Sequence, residues 1–456
     1  MRIYSVFFLS TMMQLLSMSC VAMNAQSEVK NNHPPSAASS KEPDRRAKPA
    51  PFDDIFPSTD YLGPTIGVAD TTPVYPLNAF FWKEIPKLQE NNIRLYGWIN
   101  PSYNVSSSRK SNAPMAYALV ADHLELQEVV LRAERVPDTV QLGHIDWGFR
   151  VTNLYGIDYR YTTAAGVFSQ QLLSSNNLYG YDPIEAYGQL YFPSVAQGML
   201  LTIGRFISPP DIESQLAPFN YLTTHSLMFT FDAATQTGVN AAIKLNDTWT
   251  VQLGIVSGDD VTPWVDAATV PTFQALVRWV SLDNNDSLWG GINSLNDGKY
   301  RGNHDNLQQF NVSWTHRFTE RFFTITELYY LYQWDAAKGG TCNFGAIRLF
   351  GDGGGGCGPI IPGRSSAFGA VNFVEFKLFE KNFMSFRTDF LGDYEGQRTG
   401  FSTSYMSWTL GLTHVISKAV DIRPEIRYET AFSAIPYNNG TRKNQTVFAV
   451  DAIVRF

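Results

Sequence analysis

The amino-acid sequence predicts an all-β fold, a transmembrane antiparallel β-barrel of about 16 strands, with 14 or 18 strands as alternatives. Three observations support this prediction. Segments of about ten residues alternate between apolar and polar side chains, and short polar connections alternate with long ones. The composition combines 14% aromatic residues with only 17% charged residues. Soluble domains usually contain about 25% charged residues, so the surface of this chain is poorly suited to water.

Residues 1–25 predict a signal peptide that directs export. Arg2 precedes the apolar stretch VFFLSTMMQLL, and small residues around Ala22 and Ala25 suit cleavage by a peptidase. Lipidation at Cys20 is the alternative. The segment SMSC, however, lacks the leucine three residues before the cysteine that lipoprotein signals favour.

Two further segments precede the predicted barrel. Residues 26–51 are rich in Pro, Ser and charged residues, which predicts a flexible tether because such a segment cannot bury enough apolar surface to order itself. Residues 52–91 predict a periplasmic segment at or partly inside the barrel mouth, with one short helix around NAFFWKEI that is interrupted at Pro86. Past the signal peptide, no stretch approaches the 18 or so consecutive apolar residues of a transmembrane helix. A membrane-spanning form would therefore use strands.

The barrel is predicted for residues 92–456, where the alternation has a period of two residues. In VDIRPEIRYE, residues 420–429, every odd position is charged and no even position is. The segments WTVQLGIV, IEAYGQLYF and FNVSWTHRF alternate in the same way. Because successive strand side chains point to opposite faces, one set faces lipid and the other faces the barrel interior.

Connection lengths indicate which end of the barrel is which. The short polar connections are KLNDT, SLDNND, RFTER, FEKN and ISKAVD. The predicted long connections are residues 158–182, 208–235, 258–271, 335–366, 392–403 and 431–445. Short periplasmic turns and long extracellular loops are typical of bacterial outer-membrane barrels.

The chain finishes with VFAVDAIVRF, which alternates up to the terminal Phe456. A closed barrel leaves no open edge in lipid if this last strand pairs with the first, around IRLYGWINPSYN. Phe456 would then lie at the periplasmic interface, where aromatic girdles occur. This ending resembles that of many bacterial outer-membrane proteins, which predicts that the barrel-assembly machinery is a partner of the C-terminal strand.

Several stretches resemble the OmpL-like β-barrel porin family. They include RLYGWINPSYN, DWGFRVTNLYGIDYRYT, YGYDPIEAYGQLYFP, LLTIGRFISPPDIES and FDAATQTGVNAAIKL. The resemblance runs from about residue 92 to the end and is densest between residues 146 and 260. It implies a porin fold and passive transport across the outer membrane, and it supplies no catalytic residues.

Pore-lining residues are predicted from the inward faces of the strands and from one long loop. The predicted set is Glu185, Gln189, Arg205, Asp211, Glu213, Asn240, Lys244, Glu375, Lys377, Arg387, Asp389, Arg423, Glu425, Arg427, Glu429, Asp451 and Arg455. Opposed acidic and basic walls would orient dipolar solutes. The alternative is that these charges pair with one another and only keep the interior wet. Residues 208–235 are the candidate for a loop that folds inward and narrows the pore, with an ordinary surface loop as the alternative.

Other classes of function have weaker support. The seven His fall in turns, loops or lipid-side positions, so the sequence predicts no enzyme. It predicts no cofactor and no metal, because neither the cysteines nor the His have ligand spacing. Cys342 and Cys357 are instead predicted to form a disulfide in a glycine-rich external loop. Without a basic stripe, nucleic acid is not expected as a partner.

The sequence therefore predicts an outer-membrane porin, a water-filled channel for passive diffusion of small hydrophilic solutes or ions. The alternative is a surface-exposed structural or adhesive barrel with a closed lumen. Outer-membrane lipid is the expected surrounding, and a homotrimer is expected only by analogy with general porins.

Overall fold

The computed structural model describes residues 66–70, 72–209, 211–341 and 358–456. The predicted signal peptide, the tether and the Cys342–Cys357 disulfide lie outside the described residues. In the described part of the chain, sixteen antiparallel strands form a closed barrel in which each strand pairs with the next. The predicted fold class and strand number are confirmed.

The strands follow one another in chain order around the barrel. The first eight are β1 Arg94–Ser106, β2 Leu124–Arg135, β3 Asp146–Gly156, β4 Gly180–Phe192, β5 Met199–Ile207, β6 Thr235–Lys244, β7 Trp249–Asp259 and β8 Thr272–Val280. The others are β9 Asp286–Leu295, β10 Gln308–Thr319, β11 Phe322–Trp334, β12 Arg364–Phe379, β13 Asn382–Asp393, β14 Thr403–Ser417, β15 Val420–Ala431 and β16 Asn444–Arg455.

The helices are short and lie outside the strands. Two precede the barrel, α1 Pro76–Glu84 and α2 Pro86–Glu90, which matches the helix expected around NAFFWKEI and its break at Pro86. The connections contain α3 Tyr159–Thr162, α4 Gln170–Leu173, the 3₁₀ turn Ala217–Phe219, α5 Leu227–Thr230 and α6 Tyr437–Gly440. Among the described residues, no helix has the length and apolar character needed to cross a membrane.

The barrel closes where the last strand meets the first, as predicted. Trp98 pairs with Arg455 in register, and the Phe456 amide donates to the Gly97 carbonyl at 2.9 Å. A Cβ atom at Gly97 would lie 2.1 Å from the Val130 carbonyl oxygen and 2.9 Å from the Phe456 ring. The missing side chain at position 97 therefore makes room for the terminal aromatic ring at the seam.

The two faces of the strands differ in the way that alternation predicts. On β15, Arg423, Glu425 and Arg427 are buried, whereas Ile426 and Tyr428 are 50% and 41% exposed on the outer surface. Apolar side chains therefore face the membrane, and charged side chains face the barrel interior.

Short and long connections lie at opposite ends of the barrel. The short ones, such as residues 245–248 and 380–381, lie at the end where α1, α2 and Phe456 are found. The predicted long connections are found at the other end. Residues 107–123 and 296–307 also form long connections there, which were not among the predicted ones. The first contains the apolar run MAYALV, which does not look like a loop in the sequence.

The chain before β1 reaches into the end with the short connections. Ile66 packs against Tyr191, Leu200 and Ala242 of β4, β5 and β6. Asp70 forms an ion pair with Arg94 at 2.8 Å. Residues 66–70 therefore lie partly inside the mouth of the barrel, as the sequence allowed.

Candidate functional site

The most informative feature of the barrel interior is the connection between β5 and β6. Residues 208–234, named here the inner loop, fold inward and are buried along almost their whole described length. Their main contacts are with the inner faces of β2 and β11–β15. The expectation that this segment folds into the barrel is met, and the surface-loop alternative is wrong.

Carboxylates on the barrel wall accept hydrogen bonds from the main chain of the inner loop. Four wall residues act in this way, and the donors are backbone N–H groups. The pairs are Glu327 with Ile212 at 3.0 Å, Glu128 with Ala217 at 2.8 Å, Glu425 with Thr223 at 2.8 Å and Asp389 with Leu227 at 3.1 Å. Each of these bonds gives a buried backbone N–H the partner that it needs, so the four wall residues fix the path of the loop.

Cationic and hydroxyl side chains hold the loop's carbonyl oxygens in the same manner. The contacts are Arg423 to Ala217 at 3.0 Å and to Asn220 at 2.7 Å, Arg387 to Thr224, Arg427 to His225 at 2.5 Å, Arg398 to Phe231 at 2.7 Å and Tyr329 to Met228 at 2.9 Å. A buried guanidinium needs acceptors for its fixed set of donors, and the loop main chain supplies them.

The same charges also pair with one another along the wall. Arg423 contacts Asp451 at 2.5 Å, and Arg427 contacts Glu429 at 2.6 Å. Arg387 lies 3.0 Å from Glu213 of the inner loop. All of these side chains are buried. Opposite charges therefore lie side by side beneath the loop. These charges pair with one another, as the alternative to opposed acidic and basic walls expects.

An apolar surface on the inner wall completes the attachment. The inner faces of β11–β13 carry Phe323, Ile325, Val371, Phe373 and Phe383, which form one buried cluster with Ile212, Tyr221, Leu222, Leu227 and Met228 of the loop. The alternation argument missed this surface because it assigned every inward position to water. The signal was present in FFTITELYYLYQW, which is apolar at both odd and even positions. Such a pattern is typical of a strand covered on both faces.

Two aspartates and one histidine of the inner loop have pKa values far from their usual ones. The carboxyl groups of Asp211 and Asp232 face each other, and burial raises both pKa values well above the usual range. The neighbouring Asp232 raises the pKa of Asp211 further, whereas the hydrogen bond from Asp211 partly offsets the rise in the pKa of Asp232. Burial, aided by the nearby guanidinium of Arg387, lowers the pKa of His225 well below its usual value. His225 is therefore neutral, and its Nε2 donates to the Ser214 carbonyl at 2.7 Å.

A second loop covers this part of the inner loop. The Tyr117 ring, from the connection between β1 and β2, lies 3.6 Å from the His225 ring and stacks on Tyr161 at 4.5 Å. Met115 and Ala118 of the same connection pack on Val447 of β16. The middle of this connection, residues 111–119, therefore also lies over the interior on the side of β16.

The wall formed by β6–β10 is different in chemistry. A chain of amides runs along it: the Asn240 Nδ2 donates to Gln274 Oε1 at 2.9 Å, Gln274 donates to Gln236, and Gln236 donates to Asp259 at 2.7 Å. A Cβ atom at Gly254 would lie 2.3 Å from Gln274 Oε1, so this glycine leaves space for the chain. We name the inner faces of β6–β10 the amide arc and those of β11–β16 the charged arc.

Two cations lie in one row of the amide arc near the short connections. Lys244 pairs in register with Thr250, and Thr250 pairs with Arg278. Both cations are buried. The same arc continues with Asn311, Ser313 and Thr315 on β10, so its polar groups are mainly amides and hydroxyls.

The remaining predicted pore residues have neighbouring partners. Their contacts are Glu185 with Arg132 at 2.8 Å, Gln189 with Thr202 at 3.1 Å, Arg205 with Asp182 at 2.6 Å, Glu375 with Ser385 at 2.6 Å, Lys377 with Glu380 at 3.6 Å and Arg455 with Asp421 at 2.6 Å. Their role in permeation stays a prediction. In the described ranges, no group of three or more His, Cys, Asp or Glu residues is arranged to hold a metal ion.

Solved structures with a similar fold are outer-membrane proteins of low sequence identity. The outer membrane channel DcaP of Acinetobacter baumannii has a TM-score of 0.49 and 10% identity, covering 80% of this chain and 97% of that one. The anion-selective porin of Comamonas acidovorans has a TM-score of 0.49 and 11% identity, with 80% and 99% covered. OmpT of Vibrio cholerae, in a form lacking loop L8, has a TM-score of 0.46 and 9% identity, with 80% and 99% covered.

Sequence comparison gives the family assignment. No curated protein sequence matches this chain. The family model described as "Putative beta-barrel porin-2, OmpL-like" matches residues 92–456, the same range as the barrel predicted from the alternation. The chain therefore belongs to the OmpL-like β-barrel porin family of the outer membrane.

Proposed function

We propose that this porin is a passive channel for small hydrophilic solutes or ions, and that the solute path runs between the inner loop and the amide arc. The observation that carries the proposal is the attachment of the inner loop to the charged arc by side-chain contacts to its main chain. The loop occupies that side of the interior. The polar groups of the amide arc then form the opposite wall of the path.

The chemistry of the amide arc suits solutes that carry their own hydrogen-bonding groups. An amide side chain both donates and accepts, so Asn240, Gln252 and Gln274 can replace part of a solute's hydration shell without favouring either sign of charge. Lys244 and Arg278 lie in one row near the periplasmic end. Rings of charge set selectivity in channels, so this row gives the path a preference for anions. Transport requires no chemical step.

Single-channel recording tests the proposal. Purified, refolded protein in a planar bilayer should give discrete conductance steps, and a salt gradient should give a reversal potential of the sign expected for anion preference. Silence from protein that is shown to be inserted would favour the alternative, a structural or adhesive barrel with a closed lumen. A cation preference would contradict the assigned role of Lys244 and Arg278.

Two assembly predictions accompany this function. Crosslinking of the protein in native membranes would show whether it forms a homotrimer.

Truncation of the last strand followed by a folding assay with purified barrel-assembly machinery would show whether Phe456 and its strand are recognised. Neither result bears on conductance, so each can fail while the channel proposal stands.

A further inference from the structure

The extracellular rim carries a concentrated positive patch at the seam between the first and last strands. Arg109, Lys110, Arg442 and Lys443 are all exposed there, and we name these four residues the rim patch. The surrounding loop segments, residues 107–121 and 432–443, contain no Asp or Glu, although the whole chain has a net charge of −7. Asp122, which directly follows the first segment, accepts a hydrogen bond from the Ser106 amide at 2.8 Å.

The rim patch is held together by hydrogen bonds between two loops distant in sequence. The Asn438 Oδ1 accepts from the backbone N–H groups of both Arg109 and Lys110, at 3.0 and 2.9 Å. Arg442 donates to the Ser107 carbonyl at 2.5 Å. Asn438 has a φ of 53°, a conformation that Asn adopts more readily than most residues. The four cations therefore have a fixed backbone frame, which a set of scattered surface lysines would lack.

Apolar side chains connect the rim patch to the membrane-facing surface. Phe432 and Ile435, in the same loop as Arg442, are 56% and 55% exposed. Val105 and Phe448, a register pair on the outer face of β1 and β16, are also about half exposed. Arg109 follows Val105 by only four residues, which is at most about 14 Å of extended chain. The cations thus lie at the level where lipid headgroups meet the apolar belt.

We propose that the rim patch and its apolar border bind the phosphorylated headgroup of a lipid in the outer leaflet. Arginine forms paired hydrogen bonds to phosphate oxygens, and lysine adds a point charge. Phe432 and Ile435 would contact the acyl chains. This border favours a lipid over a soluble polyanion as the occupant. A lipid has acyl chains that can contact exposed apolar side chains beside the cations, and a soluble polyanion has none.

Binding of diphosphoryl lipid A to the refolded barrel in detergent micelles, followed by native mass spectrometry, tests the proposal. We expect the fourfold variant R109Q/K110Q/R442Q/K443Q to bind this lipid at least about tenfold more weakly than the unchanged protein, because it loses four phosphate partners. Chemically dephosphorylated lipid A should bind both proteins equally weakly. The matched control is K83Q/K87Q/R321Q/K418Q, which removes four exposed cations from the opposite end and should bind like the unchanged protein.

Two outcomes would overturn the proposal. One is equal binding of diphosphoryl lipid A by the rim variant and the unchanged protein, with folding of each verified by heat-modifiable migration in gels. The other concerns the double variant F432S/I435S, which keeps all four cations. It should lose lipid binding while retaining any binding of inorganic polyphosphate. If it binds the lipid normally, the site is one for a soluble polyanion and the lipid assignment is wrong.

Discussion

The charged arc and the amide arc belong to one barrel and alternate in the same way, yet their inner faces are used differently. In the charged arc, Arg387, Arg423 and Arg427 contact carboxylates and the main chain of the inner loop. In the amide arc, Asn240 and Gln274 contact each other along the wall. An inward charge in a barrel is therefore not by itself evidence of contact with solute, because it can serve to hold a loop in place.

The strongest test of this comparison removes the inner loop. Replacement of residues 212–231 by a flexible Gly/Ser linker should raise single-channel conductance by a factor of about two or more, because the occupied side of the interior becomes available to ions. The same replacement of residues 261–270, a connection outside this attachment, should change conductance little. Equal conductance for the two variants would mean that the inner loop does not limit the path.

The attachment itself should be sensitive to loss of one buried charge. Arg387→Gln leaves Glu213 and Asp389 without their guanidinium, so we expect a loss of about 3–5 kcal/mol in the free energy of unfolding, measured with guanidinium chloride and Trp fluorescence. Lys377 pairs at 3.6 Å with the exposed Glu380, and Lys377→Gln should cost no more than about 1 kcal/mol. Similar losses for both variants would contradict the distinction between buried and exposed pairs.

The protonation of two inner-loop carboxyl groups should have a smaller effect, which is a dependence of the free energy of unfolding on pH. Burial raises the pKa values of Asp211 and Asp232. The Asp232 carboxylate raises the pKa of Asp211 further, and the charges of Glu327 and Asp260 do the same for Asp232, with Glu213 and Arg398 as the other charged neighbours. The folded state therefore binds more protons than the unfolded chain, and stability falls as pH rises from the unfolded values through the folded ones.

Asp232→Asn removes one of the two titrating groups and keeps an amide that can hydrogen-bond with Asp211 in either protonation state, so it should weaken that dependence. We expect it to raise the free energy of unfolding by about 1–3 kcal/mol at pH 8, with the gain disappearing as the pH is lowered below the usual carboxyl range. Asp247→Asn, in an exposed short connection, should show no such trend. A stabilisation by Asp232→Asn that is the same at pH 8 and below the usual carboxyl range would argue against a raised pKa of Asp232.

The smallest expected effect is on ion selectivity. A single added or removed charge should change the anion-to-cation permeability ratio in the amide arc and not in the charged arc. Asn240→Asp adds one negative charge to the amide arc and should shift the anion-to-cation permeability ratio toward cations by a factor of about two. Glu429→Gln removes one negative charge from the charged arc beneath the loop and should leave the ratio unchanged. The reversal potential in a salt gradient measures both. A shift for Glu429→Gln but not for Asn240→Asp would reverse the assignment of the path.

Much of the fold could be predicted from local pattern. The period of two residues gave the strands and their faces, as the charged and apolar sets of β15 show, and closure followed from the need to leave no open edge in lipid. The amphipathic pattern also gave the inward position of Arg387, Arg423 and Arg427. Their partners could not be predicted, because the inner loop and these arginines are about 160 to 220 residues apart and no local signal couples them.

The apolar inner wall of β11–β13 was not predicted from the sequence. Phe323, Ile325 and Phe373 occupy inward positions that a water-filled lumen would leave polar, and their strands are apolar on both faces. Read with the expectation that residues 208–235 fold inward, this pattern identifies the strands that the loop covers. The inward fold of residues 111–119 had no comparable signal, because it depends on contacts between distant loops such as that of the Tyr117 ring with the His225 ring.

Many of the polar contacts between the wall and the inner loop are made to peptide N–H and C=O groups, at Ala217, Asn220, Thr223, His225 and Leu227 among others. Every residue type except proline offers both groups. At positions outside the apolar cluster and the Glu213 ion pair, the side chain of the loop can therefore be exchanged while these main-chain contacts remain. The chemistry of this segment and the scaffold that positions it are thus encoded largely by different residues.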